Sequence, residues 1–109
     1  MGSFTVGTVV LVAFPYADFS KFKKRPALMI GEAEFDNLIL CQITSKAEAS
    51  NKAIPLSDAD FGTGGLHVYS FIRPDKIFTV EQSVIEAVAG RLNSAKVEMV
   101  RERVRHLFS

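Results

Sequence analysis

At 109 residues the chain has room for one domain, spanning 1–109, and its 48% hydrophobic content is enough for one continuous core. A charged fraction of 23% is ordinary for a folded surface and argues against disorder. The formal net charge of only +1 excludes nucleic-acid binding through an overall positive field, so any such binding needs positive charge concentrated in one place.

Residues 8–14 (TVVLVAF) are rich in β-branched side chains and stop at Pro15, which predicts a first strand. Residues 15–24 (PYADFSKFKK) show no sustained period and read as a long loop, the kind that carries function in a small domain. Lys21, Lys23, Lys24 and Arg25 form such a local cluster, four basic residues in a stretch of five, readable also as a solvated loop. Residues 26–31 (PALMIG) predict a second strand, extendable through 32–35 to a turn at Asp36-Asn37. Residues 38–44 (LILCQIT) predict a third strand, joined to the second as a hairpin. Cys41, the only cysteine, lies inside that strand as a small core residue and fits a reducing compartment.

Residues 53–56 form a short strand whose Pro55 points to a sheet edge. Residues 57–65, with Gly62, Gly64 and Gly65, are read as turns. Residues 68–72 and 76–80 predict strand segments flanking Arg73-Pro74-Asp75, where proline bends or interrupts pairing. The composition of residues 84–92 (VIEAVAGRL) leans towards a helix, although Gly90 argues against a long one. Asn93 or Ser94 is a credible N-cap for a terminal helix. On that helix Val97, Val100, Val104 and Leu107 share one face, and Arg103, Arg105 and His106 lie towards the end that favours cations. Short strands followed by one helix predict a mainly β, antiparallel small barrel or sandwich. No apolar run approaches the roughly 20 residues that cross a bilayer, and no secretory signal opens the chain. A cytoplasmic protein without a membrane partner is expected.

Phosphate-binding loops and dinucleotide motifs are missing, and His67 and His106 have no cysteines to complete a zinc site. Asp58 and Asp60 suit a turn better than a cation site. No metal and no cofactor is therefore expected. What remains is chemistry in which the substrate brings its own nucleophile, as RNA does with its 2′-hydroxyl. Arginine, planar and permanently charged, suits the negative charge that develops on phosphorus oxygens, and a hydroxyl adds a neutral donor. Arg25 opens one strand and Thr44-Ser45 closes the next, so antiparallel pairing brings them to the same edge.

These blocks resemble the MazF/PemK toxin family over nearly the whole chain. The resemblance lies in residues 7–15 (GTVVLVAFP), 23–30 (KKRPALMI), 40–45 (LCQITS), and 70–79 (SFIRPDKIFT) followed by 90–92 (GRL). It implies an SH3-like small barrel of the MazF/CcdB/PemK type, made of antiparallel strands with a C-terminal α-helix, and implies a strand rather than a helix at 87–92. The implied activity is a sequence-specific, metal-independent endoribonuclease toxin that cleaves single-stranded mRNA through attack of the 2′-OH on the scissile phosphate. The implied partners are the RNA substrate, a second copy in a homodimer, and a cognate antitoxin, together with which such toxins bind DNA.

By position the family's catalytic arginine falls on Arg25 and its threonine on Thr44. Lys23 and Lys24 beside the arginine are expected on phosphate, and Gln42, alternating with Thr44, is expected to face RNA. Ser45 is either a second donor or a loop residue. The preceding loop departs from the Gly-Ser-Glu sequence of many members and reads Asp18-Phe19-Ser20-Lys21-Phe22, with Ser20 matching the family serine and Asp18 in place of the acid. Phe19 and Phe22 either stack on bases or anchor the loop. The alternative is a non-cleaving relative of the same fold, a CcdB-like gyrase inhibitor or an RNA-binding barrel.

Overall fold

Apolar side chains pointing alternately to two faces organise the described residues into seven antiparallel strands. These are β1 (Thr8–Pro15), β2 (Phe22–Glu32), β3 (Leu38–Thr44), β4 (Ile54–Leu56), β5 (Phe61–Gly64), β6 (Ser70–Val80) and β7 (Ile85–Leu92), followed by helix α1 (Ser94–His106). The computed structural model describes residues 4–15, 22–46 and 51–109, without the side chains of residues 14, 15, 22 and 23. The strand order is β4-β6-β3-β2-β1-β7-β5. The two edge strands, β4 and β5, follow each other in the chain through a 3-10 turn at Asp58–Asp60, so the sheet curls into a half-barrel.

Both faces of the central strands are buried, which is why β1 to β3 read as near-continuous apolar runs. One face carries Val9, Leu28, Cys41, Ile43 and Ile72, packed against Val97 and Val100 of α1. The other carries Val10, Val12, Ala27, Met29, Leu38 and Leu40. Each fully buried Val, Leu, Ile or Met among them stabilises the fold by about 1.5–3 kcal/mol through removal from water. The Asn93 side chain caps α1 by accepting the Lys96 backbone N–H at 2.9 Å, worth about 1 kcal/mol. Lys96 in turn reaches the Asp60 carboxylate at 3.4 Å and ties the helix to the turn between the edge strands. Among the described residues no helix is long and apolar enough to cross a membrane.

The helix expected over residues 84–92 is absent, apart from Val84, which ends a 3-10 turn at Gln82–Val84. Ile85–Leu92 is strand β7, paired with β1 through Val10↔Val88 and Thr8↔Arg91. Local helix propensity yields here to the ladder that β1 offers. Residues 57–65 also contain more than turns, because Phe61–Gly64 forms edge strand β5. Gly64 stands opposite Gly90 in the β5–β7 pair, and a Cβ on Gly90 would lie 2.5 Å from the Thr63 carbonyl oxygen. Glycine at both positions is what lets the two backbones approach this closely.

The hairpin between β2 and β3 turns one residue earlier than Asp36-Asn37. Phe35 and Asp36 occupy its centre with φ of 62° and 61°, and the Asn37 N–H closes the turn onto the Glu34 carbonyl at 3.2 Å. Two positive φ values match the right-handed twist of the flanking strands. They are strained for Phe35, whose ring stands 90% exposed. β2 itself begins at Phe22, so the loop expected over 15–24 is shorter than composition suggests.

Candidate functional site

The β2–β3 ladder runs from Glu32↔Leu38 to Ala27↔Gln42. Continued two residues beyond Ala27↔Gln42, through Pro26, which has no N–H to pair, the same register would set Arg25 across from Thr44. Alternation along each strand then puts Arg25 and Ala27 of β2 on one face with Gln42 and Thr44 of β3. On the far side of β2, Arg25 pairs with Val12 of β1. On the far side of β3, Thr44 pairs with Phe71 and Gln42 pairs with Arg73 of β6. Neighbouring strands lie about 4.8 Å apart, so all of these groups fall within the footprint of a few nucleotides.

Thr44 is half-buried, and its Oγ1 accepts the Lys46 backbone N–H at 3.1 Å. That contact orients the hydroxyl and leaves its proton to donate outward. Arg25 and Gln42 are half-buried on the same face. Ser45 follows in an exposed bend, and Lys24 is exposed on the side of β2 opposite Arg25. Lys23 pairs by its backbone with Phe14. Ser20, with Asp18, Phe19 and Lys21, lies outside the described residues.

Arg73 and Asp75 join this face, and sequence reading treated them only as flanks of a proline bend. Consecutive β3 residues Cys41 and Gln42 pair with Ile77 and Arg73, so Pro74, Asp75 and Lys76 stand outside the ladder. Bulges of this kind re-aim side chains and are common beside active sites. Here the excursion turns the Asp75 carboxylate back onto the Arg73 guanidinium, whose side chain is 13% exposed. The hydrogen bond from Arg73 holds the Asp75 carboxyl below the usual carboxylate range, against the opposing effect of burial. A useful signal was present in the sequence: an arginine and an aspartate two apart across a mid-strand proline.

Cys41 faces the opposite, apolar side of β3 and is fully buried. Burial, and secondarily the negative charge of Asp75, push its thiol up to about 12, so it is not a nucleophile near neutrality. His67 is exposed beside a groove of about 350 Å³ that also borders Tyr69 and does not include Arg25 or Thr44. Among the described residues no cluster of three or more His, Cys, Asp or Glu could hold a metal ion.

Solved structures with this architecture include several toxins. An endoribonuclease from a mycobacterial species in complex with its cognate antitoxin superimposes with a TM-score of 0.75 at 12% identity, over 99% of this chain and 95% of that one. A MazE–MazF complex from Deinococcus radiodurans superimposes with a TM-score of 0.75 at 21% identity, over 99% of this chain and 97% of that one. Mycobacterium tuberculosis toxin MazF-mt6 gives a TM-score of 0.69 at 19% identity, over 93% of this chain and 95% of that one. At such identities these likenesses establish the fold. Comparison with curated protein sequences finds no match. The family model of the PemK-like, MazF-like toxins matches residues 5–108, almost the entire sequence, and so the chain belongs to this family of type II toxin–antitoxin toxins.

Proposed function

We propose that the chain is a metal-independent endoribonuclease toxin that cleaves single-stranded mRNA at a short sequence. What supports this reading is the β2–β3–β6 pairing: its register, continued two residues beyond Ala27↔Gln42, would form a row of Arg25, Thr44 and Phe71, with Arg73 diagonally beside it on the same face. A substrate phosphate placed over that row meets two guanidinium groups and a hydroxyl. The 2′-oxygen of the preceding ribose attacks phosphorus, the bond to the 5′-oxygen breaks, and the products are a 2′,3′-cyclic phosphate and a 5′-hydroxyl. The 2′-OH proton leaves to a base, and the 5′-oxygen receives a proton.

Arg25 is the catalytic cation. Its fixed fork neutralises the charge that grows on the non-bridging oxygens, where a preorganised donor counts most. Thr44 donates its hydroxyl proton to the same oxygens. Arg73 supplies a second cation, and Asp75 fixes its orientation. Lys23, Lys24, Gln42, Ser45 and Ser20 extend the surface along the RNA, with Lys24 acting through longer-range attraction because it stands on the other side of β2.

Family membership, together with solved neighbours described as an endoribonuclease bound to its cognate antitoxin and as a MazE–MazF complex, supports an antitoxin that covers this face. The working form is a cytoplasmic homodimer, which binds DNA when held by the antitoxin.

The test is incubation of purified protein with single-stranded RNA, duplex RNA and single-stranded DNA in excess EDTA, beside a gyrase supercoiling assay. Cleavage confined to single-stranded RNA, with cyclic-phosphate ends, is the expected result. Inhibited supercoiling with intact RNA would instead favour the non-cleaving, CcdB-like alternative. Salt-sensitive RNA binding without any cutting would favour an RNA-binding barrel.

A further inference from the structure

Tyr69, the residue before β6, keeps 59% of its surface in solvent. Its ring is braced: Phe71 meets it edge-on, with ring centroids 5.4 Å apart and planes at 86°. Phe71 itself lies across from Thr44. Tyr69, Phe71 and Arg73 are alternate residues of one face, so the strand rise sets Phe71 about 7 Å and Tyr69 about 13 Å from Arg73. Beyond Tyr69 opens the groove of about 350 Å³, with Leu66 and Asp58 among its walls, a volume at the low end of small-ligand sites. An exposed aromatic, braced and in line along β6 with Arg73, the second cation of the cleavage reading, is what a single-stranded nucleic acid uses to seat a base.

We infer that Tyr69, braced by Phe71, is a stacking platform for the base of a nucleotide flanking the scissile phosphate, and that the adjoining groove receives that base. This rests on the RNA-cleavage reading and adds to it the place where sequence preference is exerted. The cations hold the backbone without regard to sequence, whereas a ring beside a walled groove discriminates between bases that fit and bases that do not. Backbone contacts position the strand; Tyr69 selects its register.

Tyr69→Leu keeps apolar volume and removes the π-face, while Tyr69→Phe keeps the face and removes only the hydroxyl. Both are assayed on a fluorogenic single-stranded RNA containing the cut sequence, intact or with one abasic nucleotide at each position in turn. Tyr69→Leu is expected to raise KM about 5- to 100-fold with little change in kcat, the range that loss of one stacked base gives. Tyr69→Phe is expected to stay within about twofold of the wild type. On the substrate abasic at the stacked position, wild type and Tyr69→Leu should converge.

A Tyr69→Leu enzyme equal to wild type, or impaired equally on every abasic substrate, overturns the platform and leaves the cleavage reading intact. A wild type that cuts no RNA overturns the cleavage reading, and the platform is then decided by direct binding. Tyr69→Trp introduces the only tryptophan of the chain. Quenching of its fluorescence by the intact oligonucleotide, relieved by one abasic position, sustains the platform; absence of quenching overturns it.

Discussion

Arg73 and Asp75, two residues apart on β6, grip each other through parallel hydrogen bonds, Nε to Oδ1 at 3.1 Å and Nη2 to Oδ2 at 2.9 Å. Two of the five guanidinium N–H groups are spent on this fork, and three remain for a phosphate. The pair therefore presents an aimed cation rather than a mobile one. Removing the carboxylate should harm the aim more than the charge. Asp75→Asn is expected to lower single-turnover RNA cleavage about tenfold or more while circular dichroism stays native, in keeping with the weight of charge-assisted contacts. Arg73→Lys should not restore the lost geometry, because an ammonium cannot make the fork.

The pair also sets an acid limit. Asp75 has a folded value below its unfolded one, so its stabilisation is complete above the ordinary Asp range and is lost as pH falls through the lower folded value. At neutral pH the fork is fully formed. Urea midpoints of the wild type should fall more steeply in acid than those of Asp75→Asn, and parallel curves would contradict this.

Cys41 gives the opposite sign. Burial in the folded chain pushes its thiol from the ordinary 9.0 up to about 12, so the unfolded chain gives up its proton first as pH rises. Stability from this group is complete below about 9 and declines towards 12. Cys41→Ala should flatten the alkaline loss of stability relative to wild type, although it costs some packing at neutral pH. Ellman's reagent at pH 8 should leave the native thiol unlabelled and label it fully in denaturant.

Gly90 faces Gly64 where β5 crosses closest to β7. An added methyl at Gly90 meets the Thr63 carbonyl at 2.5 Å, whereas one at Gly62 has nothing nearer than 3.7 Å. Gly90→Ala is expected to destabilise by about 1–3 kcal/mol in urea unfolding. Gly62→Ala should be close to neutral, so equal effects at the two positions would refute the close-approach account.

Phe35 sits at φ 62° with its ring in solvent, a conformation that asparagine tolerates better. Phe35→Asn should therefore raise the unfolding free energy by about 1 kcal/mol, read as a higher urea midpoint at unchanged slope.

How much of this was legible beforehand differs from element to element for physical reasons. The third strand was read as 38–44 and is Leu38–Thr44, because a run such as LILCQIT has no helical period and is bounded by turn formers. Helix α1 was legible from Val97 and Val100 at helical spacing behind an Asn93 cap. Pro55 marked an edge, and β4 is one. Strand β7 was hidden from composition, because VIEAVAGRL suits a helix locally, and the strand implied at 87–92 came from the family resemblance alone; its pairing with β1 is a long-range fact. Strand β5 was hidden because Phe61-Gly62-Thr63-Gly64 carries the glycines of a turn, needed here for contact with β7.

The candidate site divides along the same line. The expected juxtaposition of Arg25 and Thr44 rests on one hairpin, a local object that can be reasoned from sequence, and the pairing of that hairpin runs to Ala27↔Gln42, two residues short of it. Arg73 and Asp75 reach the face only through the β3–β6 pairing and its bulge; their spacing across Pro74 marks the bulge but not the strand it pairs with. Lys24 was grouped with Arg25 by proximity along the chain, yet strand alternation sends it to the other side.

The most direct test of the account is the single-turnover rate of RNA cleavage in EDTA by wild type and Arg25→Ala, with urea unfolding run in parallel. A fall of about 100-fold or more at nearly unchanged stability is expected, because the proposed preorganised charge is removed while the buried core is untouched. An Arg25→Ala protein that cuts RNA at the wild-type rate would contradict it.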